Sequence, residues 1–387
     1  MTYKRLMDGK FVELVSEMTD EEKVALLAGH RMWKTESIER LGIPRIVMTD
    51  GTYGVRYSIP QIDGDEAGGQ DFDAFLSVVG QRADHVQIAW GQMKLATCFP
   101  NGSSLGCSWD VELARKLGEA LAKECQEFGV HLLLGPGINI RRTPLGGRSY
   151  EYYGEDPILS GDFSAGVING LQENGVGASL KHFACNNSEV ERTSMDSVVE
   201  ERALREIYLR GFERAIRKSN PWTVMSSYNR LNGVQVAEDP WLLNRVLRDE
   251  WGYEGLVVSD WHGIKDRPAS LIAGNDLDMP ESGTRKAELL DAIRAGKVDR
   301  AVVDTACERV LKLVRLAKLG ENRSITFDRA EHHALARKMA AESIVLLKNE
   351  GGLCRSSLPR SNASPSSAKA LAYRSSRVPA VRPRCQP

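Results

Sequence analysis

The 387-residue sequence contains no apolar run close to the ~20 residues needed to cross a bilayer, so no membrane span is expected. Its opening, MTYKRLMDGKFVELVSEMTDEEK, has no apolar signal core, and no secretory leader is expected either. An excess of either charge is also missing. Fifty-one Lys and Arg face 52 Asp and Glu, for a formal net charge of −1, which leaves no electrostatic footprint for nucleic acid or an anionic membrane surface. The seven cysteines are scattered, without a C-x-x-C pair or regular spacing. That pattern argues against a disulfide framework and for a reduced, cytoplasmic chain. His332-His333 has no third ligand at metal spacing and reads as a solvated helix face. No metal and no cofactor requirement is expected.

What is present is an alternation. The stretch 110–128 places Ala114, Leu117, Leu121, Cys125 and Phe128 at helical spacing, with Ser108 or Asp110 available as a cap. VHLLLGPGINI follows, a short apolar run ended by Gly-Pro-Gly, which reads as a buried strand. The pattern then repeats: helical segments lead in turn to GASLKHF, WTVMSSYN, GLVVSDW and NDLDMP, and two amphipathic segments follow near 285–295 and 301–318. Buried apolar strands alternating with helices imply a parallel sheet covered by helices. Over roughly 300 residues the expected fold is an α/β, (β/α)8 TIM barrel. A doubly wound open sheet is the alternative, weakened by the lack of a G-x-G-x-x-G turn after a first strand.

Barrel sites form where strands end and loops begin. The polar residues at those ends are Asp50, Arg148, Lys181, His182, Tyr228, Asp260 and Trp261. Charged forks that grip hydroxyls and a flat ring suit a polyhydroxylated ligand. Several of these residues also have a plainer reading. Asp260 alone could cap a helix, Asp50-Gly51 is an ordinary turn signal, Lys181-His182 could be structural, and Met225 reads as packing. GSSLG, residues 102–106, matches the G-x-S-x-G elbow of α/β-hydrolases but lacks a strand directly before it and a helix directly after it. Lys181 as a Schiff-base lysine is a second competing chemistry.

Several blocks occur in a specific order: MTDEEKVALLAG, LGIPRIVMTDGTYGVR, ATCFPNGSSLGCSWD, LLLGPGINIRRTPLGGRSYEYYGEDP, KHFACNN, ERALREIYL, MSSYNRLNG and GLVVSDWHG. From about residue 18 to about 352, the chain resembles the N-terminal barrel of family 3 glycoside hydrolases of the β-glucosidase type. The resemblance implies a retaining β-glycosidase acting on terminal β-D-glucosyl residues of small β-glucosides or oligosaccharides, with Asp260 as nucleophile. It implies that Asp50 and Arg56 bind distal hydroxyls of the sugar. Arg148, Lys181 and His182 would hold further hydroxyls. Met225 and Tyr228 would line the nucleophile's side, with Tyr228 bonded to the carboxylate, and Trp261 would floor the entrance. Lys181, Arg148 and Tyr228 are expected to keep Asp260 ionised.

The same resemblance places the acid/base glutamate of two-domain members in a second, α/β sandwich domain. One-domain relatives carry a His–Asp pair on the loop after the Lys-His strand, but this loop, KHFACNNSEVERTSMDS, has no histidine beyond His182. Glu151, Glu155, Glu189 and Glu191 lie near binding residues, and none is assigned by pattern. The expected organisation is a barrel over 1–325, a linker helix over 326–352 and a disordered tail over 353–387. The tail has no acidic residue and is rich in Arg, Ser and Pro. Its abrupt start suggests a frameshift or premature end, and an inactive or sugar-binding remnant is the alternative function.

Overall fold

The computed structural model describes residues 2–64 and 91–350. The proposed tail, 353–387, lies outside the described residues. Of the described residues, those up to 344 form one compact unit, to which all that follows refers.

Five short strands, Met48–Asp50, Leu132–Leu134, Gly177–Phe183, Thr223–Ser226 and Leu256–Ser259, pair in parallel in the order of the sequence. A further parallel bridge joins Val258 to Leu277. Monotonic order marks a sheet wound one way, as in a barrel; a doubly wound sheet reverses at its centre. The ring closes through the segment 27–33. Asp278 N–H donates to Leu27 O at 3.0 Å, Glu281 N–H to Arg31 O at 3.0 Å, and Met48 N–H to Trp33 O at 2.8 Å. The chain therefore has the α/β architecture of a TIM barrel, with irregular segments completing what the short strands leave open.

The helices form where the apolar spacing places them. Val111–Phe128 begins at Asp110, whose carboxylate accepts from the N–H groups of Glu112 and Leu113 at 2.9 and 3.1 Å. It ends at Gly129, whose positive φ of 79° suits the left-handed cap. Its face of Ala114, Leu117, Leu121 and Cys125 is buried, and it packs closely on the helix Pro157–Gln172. The approach is tight because Gly118 has no side chain: a Cβ there would sit 2.2 Å from Val167 O. The later helices Gly283–Arg294 and Arg300–Gly320 lie where the amphipathic segments predict them.

The expected solvated face at His332-His333 holds for His333 only. His332 is buried, with Nδ1 2.7 Å from Oε1 of the fully buried Glu124. Its ring stacks on Phe327 at 4.9 Å between centroids. This clasp ties the helix Arg329–Glu342 to the barrel helix that carries Glu124.

Candidate active site

The strand Leu256–Ser259 is buried throughout, and the chain leaves it at Asp260. Asp260 N–H donates to Ser226 O at 3.1 Å, which fixes the residue against the neighbouring strand end. Its Oδ1 accepts the Trp261 N–H at 2.8 Å. Its Oδ2 is buried without a hydrogen-bond partner among the described residues, although His182 Nε2 is 3.6 Å away and Arg148 Nη1 4.0 Å away. A buried acceptor left open in this way needs an explanation, and a reacting partner supplies one. The helix-cap reading fails, because the next helix starts at Arg267 and is capped by Asp266.

Burial raises the Asp260 carboxyl above the usual carboxylate range, against the pull of Arg148, Lys181 and Arg192. The expected effect of the cations is therefore present, but desolvation outweighs it. Tyr228 is buried beside Asp260. Burial first, and the neighbouring carboxylate second, push its phenol well up, so it stands as a protonated donor.

Asp50 ends the strand Met48–Asp50. Its Oδ1 accepts from Lys181 Nζ at 2.6 Å and its Oδ2 from Arg56 Nη1 at 3.3 Å. Burial would raise this carboxyl, but the Lys181 and Arg56 charges outweigh burial and hold it well below its ordinary value. Gly51 allows the turn that follows: its φ is +143°, and a Cβ there would meet Gly54 O at 2.3 Å. Lys181 and His182 both reach the mouth because the strand register shifts between Leu180 and Phe183. A bulge of this kind re-aims side chains that would otherwise alternate.

Arg148 has no free rotation left. Its Nε donates to Glu151 Oε1 at 2.5 Å and its Nη2 to His182 Nε2 at 2.7 Å. Arginine only donates, so His182 Nε2 is the unprotonated nitrogen. The proton then sits on Nδ1, 3.3 Å from the Tyr152 hydroxyl, which in turn donates to Asn186 O at 3.3 Å. Burial, then the charges of Arg148, Lys181 and Arg192, hold His182 well below its ordinary value. A neutral imidazole makes no ion pair with Asp260, and its one acceptor, Nε2, is spent holding Arg148.

Trp261 is buried, with its indole N–H donating to Met32 O at 2.9 Å. Its ring tilts against Trp33 at 5.2 Å between centroids. Met225 lies in the sheet in register with Val258. The structure thus gathers Asp50, Arg56, Lys181, His182, Arg148, Tyr228, Asp260 and Trp261 at one end of the sheet, with Met225 in the wall beneath. Trp33, Tyr152 and Arg192 also belong there and carry no signal in the sequence, since each is brought in by tertiary contact alone. Glu189 lies 3.9 Å from Arg148 Nε. Lys181 is committed to its ion pair with Asp50, which leaves no free amine for a Schiff base. The GSSLG stretch is a short helix capped by Asn101, not a strand-to-helix elbow. Among the described residues, no group of three or more His, Cys, Asp or Glu is placed to hold a metal. No helix among them is long and apolar enough to cross a membrane.

Residues 82–313 match the family model for the glycosyl hydrolase family 3 N-terminal domain. The chain is 44% identical over 339 residues to thermostable β-glucosidase B of Acetivibrio thermocellus, covering 87% of this chain and 42% of that protein. It is 43% identical over 340 residues to an exo-α-(1→6)-L-arabinopyranosidase of Bifidobacterium longum, covering 88% and 42%. The solved structure of β-glucosidase 3B from Thermotoga neapolitana in complex with glucose matches with a TM-score of 0.77 at 37% identity, over 89% of this chain and 48% of that one. The chain thus spans about two fifths of the length of these two curated relatives.

Proposed function

Because the chain belongs to glycosyl hydrolase family 3, we propose that its barrel carries the sugar-binding and nucleophilic half of a retaining β-glycosidase, acting on terminal β-D-glucosyl residues. Asp260 attacks the anomeric carbon as the bond to the aglycone oxygen breaks and the aglycone departs; water then displaces the carboxylate from the resulting glycosyl ester, releasing the sugar and restoring Asp260. The observation that carries this reading is the open Oδ2 of Asp260, buried at a strand end and flanked by Arg148, His182 and Tyr228. Asp50, held between Lys181 and Arg56, accepts from sugar hydroxyls, and the two cations and Arg148 donate to them. Trp261, backed by Trp33, offers a flat face to the ring. The Thermotoga β-glucosidase, solved in complex with glucose, supports a glucosyl occupant. The arabinopyranosidase relative shows that proteins this similar differ in sugar.

A retaining enzyme needs a second carboxyl about 5–5.5 Å from the first, to protonate the leaving oxygen. Glu151 is bound to Arg148, and Glu189 to Arg192 and Asn186. The reading assigns leaving-group protonation to none of the described residues. It follows that a leaving group needing little acid help is released far faster than one needing much. Turnover of 2,4-dinitrophenyl β-glucoside with little or none of cellobiose is the expected result. Comparable rates on both would place a working acid in this chain and overturn that part of the reading. Binding of glucose with turnover of neither substrate would leave a sugar-binding protein.

A further inference from the structure

We propose that Glu189 and Arg192 are a positioning pair, holding from one loop the two groups that flank the nucleophile, Arg148 and Tyr228. The proposal rests on the reading of Asp260 as nucleophile given above. The loop follows the strand Gly177–Phe183 and brings both side chains to the site. Glu189 and Arg192 keep side-chain exposures of only 17% and 18%, low for charged residues on a connection.

Glu189 Oε2 accepts from Arg192 Nη1 at 3.2 Å, and its Oε1 accepts from Asn186 Nδ2 at 3.4 Å. The same Oε1 lies 3.9 Å from Arg148 Nε, on the edge of the guanidinium that Glu151 also holds. Two carboxylates on one edge and His182 on Nη2 leave Nη1 of Arg148 directed at Asp260. At the other end of the pair, the Arg192 guanidinium lies over the Tyr228 ring, 5.0 Å from its centroid. A cation over the face of a phenol fixes the ring while leaving its hydroxyl free for Asp260. One ion pair thus reaches both sides of the nucleophile. An exposed ion pair would do little, but this one is screened from water and joined to the site at both ends.

Among the described residues, the charged and titratable groups acting on Asp260 include Arg148, Lys181, His182, Arg192, Tyr228, Tyr152 and Glu189. Loss of the Arg192 cation raises the carboxyl further, so Arg192→Met moves the acid limb of glycosylation to higher pH. Loss of the Glu189 anion lowers it, so Glu189→Gln moves the limb to lower pH. A merely structural role for the loop predicts no such opposite shifts.

The experiment follows inactivation of the full chain by 2,4-dinitrophenyl 2-deoxy-2-fluoro-β-glucoside across pH, for wild type, Glu189→Gln, Arg192→Met, the double variant and the conservative Glu189→Asp. The expected result is a loss of about tenfold or more in the inactivation rate constant for each single variant, with inactivator affinity nearly unchanged. The two limbs shift in opposite directions, the double variant is no worse than the worse single, and Glu189→Asp recovers part of the rate. Additive losses, a loss of affinity alone, or limbs that do not move would overturn the proposal. So would a Glu189→Gln defect that appears only with poor leaving groups, since that marks a proton donor. If the wild type itself forms no adduct, the nucleophile reading fails. The pair is then judged by carbon-13 NMR titration of Asp260, where the same opposite shifts are required and their absence refutes it.

Discussion

Lys181→Met tests the ion pair at the base of the site. Methionine keeps most of the buried stem and removes only the ammonium. Lys181 is almost fully enclosed, and its Nζ lies 2.6 Å from Asp50 Oδ1. Stripping one partner from a buried pair costs about 3–5 kcal/mol, because the other charge stays behind uncompensated. The low end applies here, about 3 kcal/mol: Arg56 remains 3.3 Å from the second oxygen, and the Asp50 side chain is 28% exposed. The loss must also depend on pH. In the wild type Asp50 titrates well below its ordinary value, so its stabilisation is complete above the unfolded value of about 3.9 and is lost as pH falls further. Without Lys181 the folded carboxyl titrates higher, so on acidification the variant sheds its buried charge before the wild type does. The gap between the two is therefore widest near about pH 7 and narrows on the acid side of about pH 4. Guanidinium unfolding of both proteins across that range measures it. A gap under about 1 kcal/mol at neutral pH, or one that does not change with pH, would refute the reasoning.

Asp260→Asn abolishes turnover of activated glucosides by roughly ten-thousandfold and at neutral pH raises stability by about 1 kcal/mol. The sign follows from the raised carboxyl: its ionised form is penalised in the fold, so the wild type loses stability as pH rises through the folded value and the variant does not. Unfolding curves at acid and neutral pH check this, and equal gaps at both would contradict it. Gly118→Ala forces a Cβ to within 2.2 Å of Val167 O and costs about 1–3 kcal/mol, read as a lower unfolding midpoint. His332→Ala leaves Glu124 buried beside an empty space and costs about 3 kcal/mol. Faster proteolysis in the helix Arg329–Glu342 is its expected local signature.

The legible part of this protein was what local pattern encodes. Apolar runs ending in Asp50, Lys181-His182 and Asp260 announce strand ends, and strand ends of a parallel barrel converge on one face. The helix over 111–128 was readable from its spacing and its Asp110 cap. What pattern does not encode is which distant residue arrives. Trp33 reaches Trp261 across more than two hundred residues, and nothing in GHRMWKT signals it. His332 looks like one of two solvated imidazoles until Glu124 and Phe327 are seen beside it. Among the described residues, closure runs through single backbone hydrogen bonds of the segment 27–33 rather than a regular strand, and no local pattern announces it. The state of Asp260 escaped for a further reason. The sequence shows the cations, but the desolvation that outweighs them depends on enclosure.

The central claim is that Asp260 is a nucleophile in a site this chain assembles. The most direct measurement is mass-spectrometric mapping of the 387-residue chain after incubation with an activated 2-deoxy-2-fluoro-β-glucoside. The account predicts a single glycosyl ester on Asp260, absent from Asp260→Asn. An intact chain with no adduct, or an adduct on another carboxyl, would contradict it.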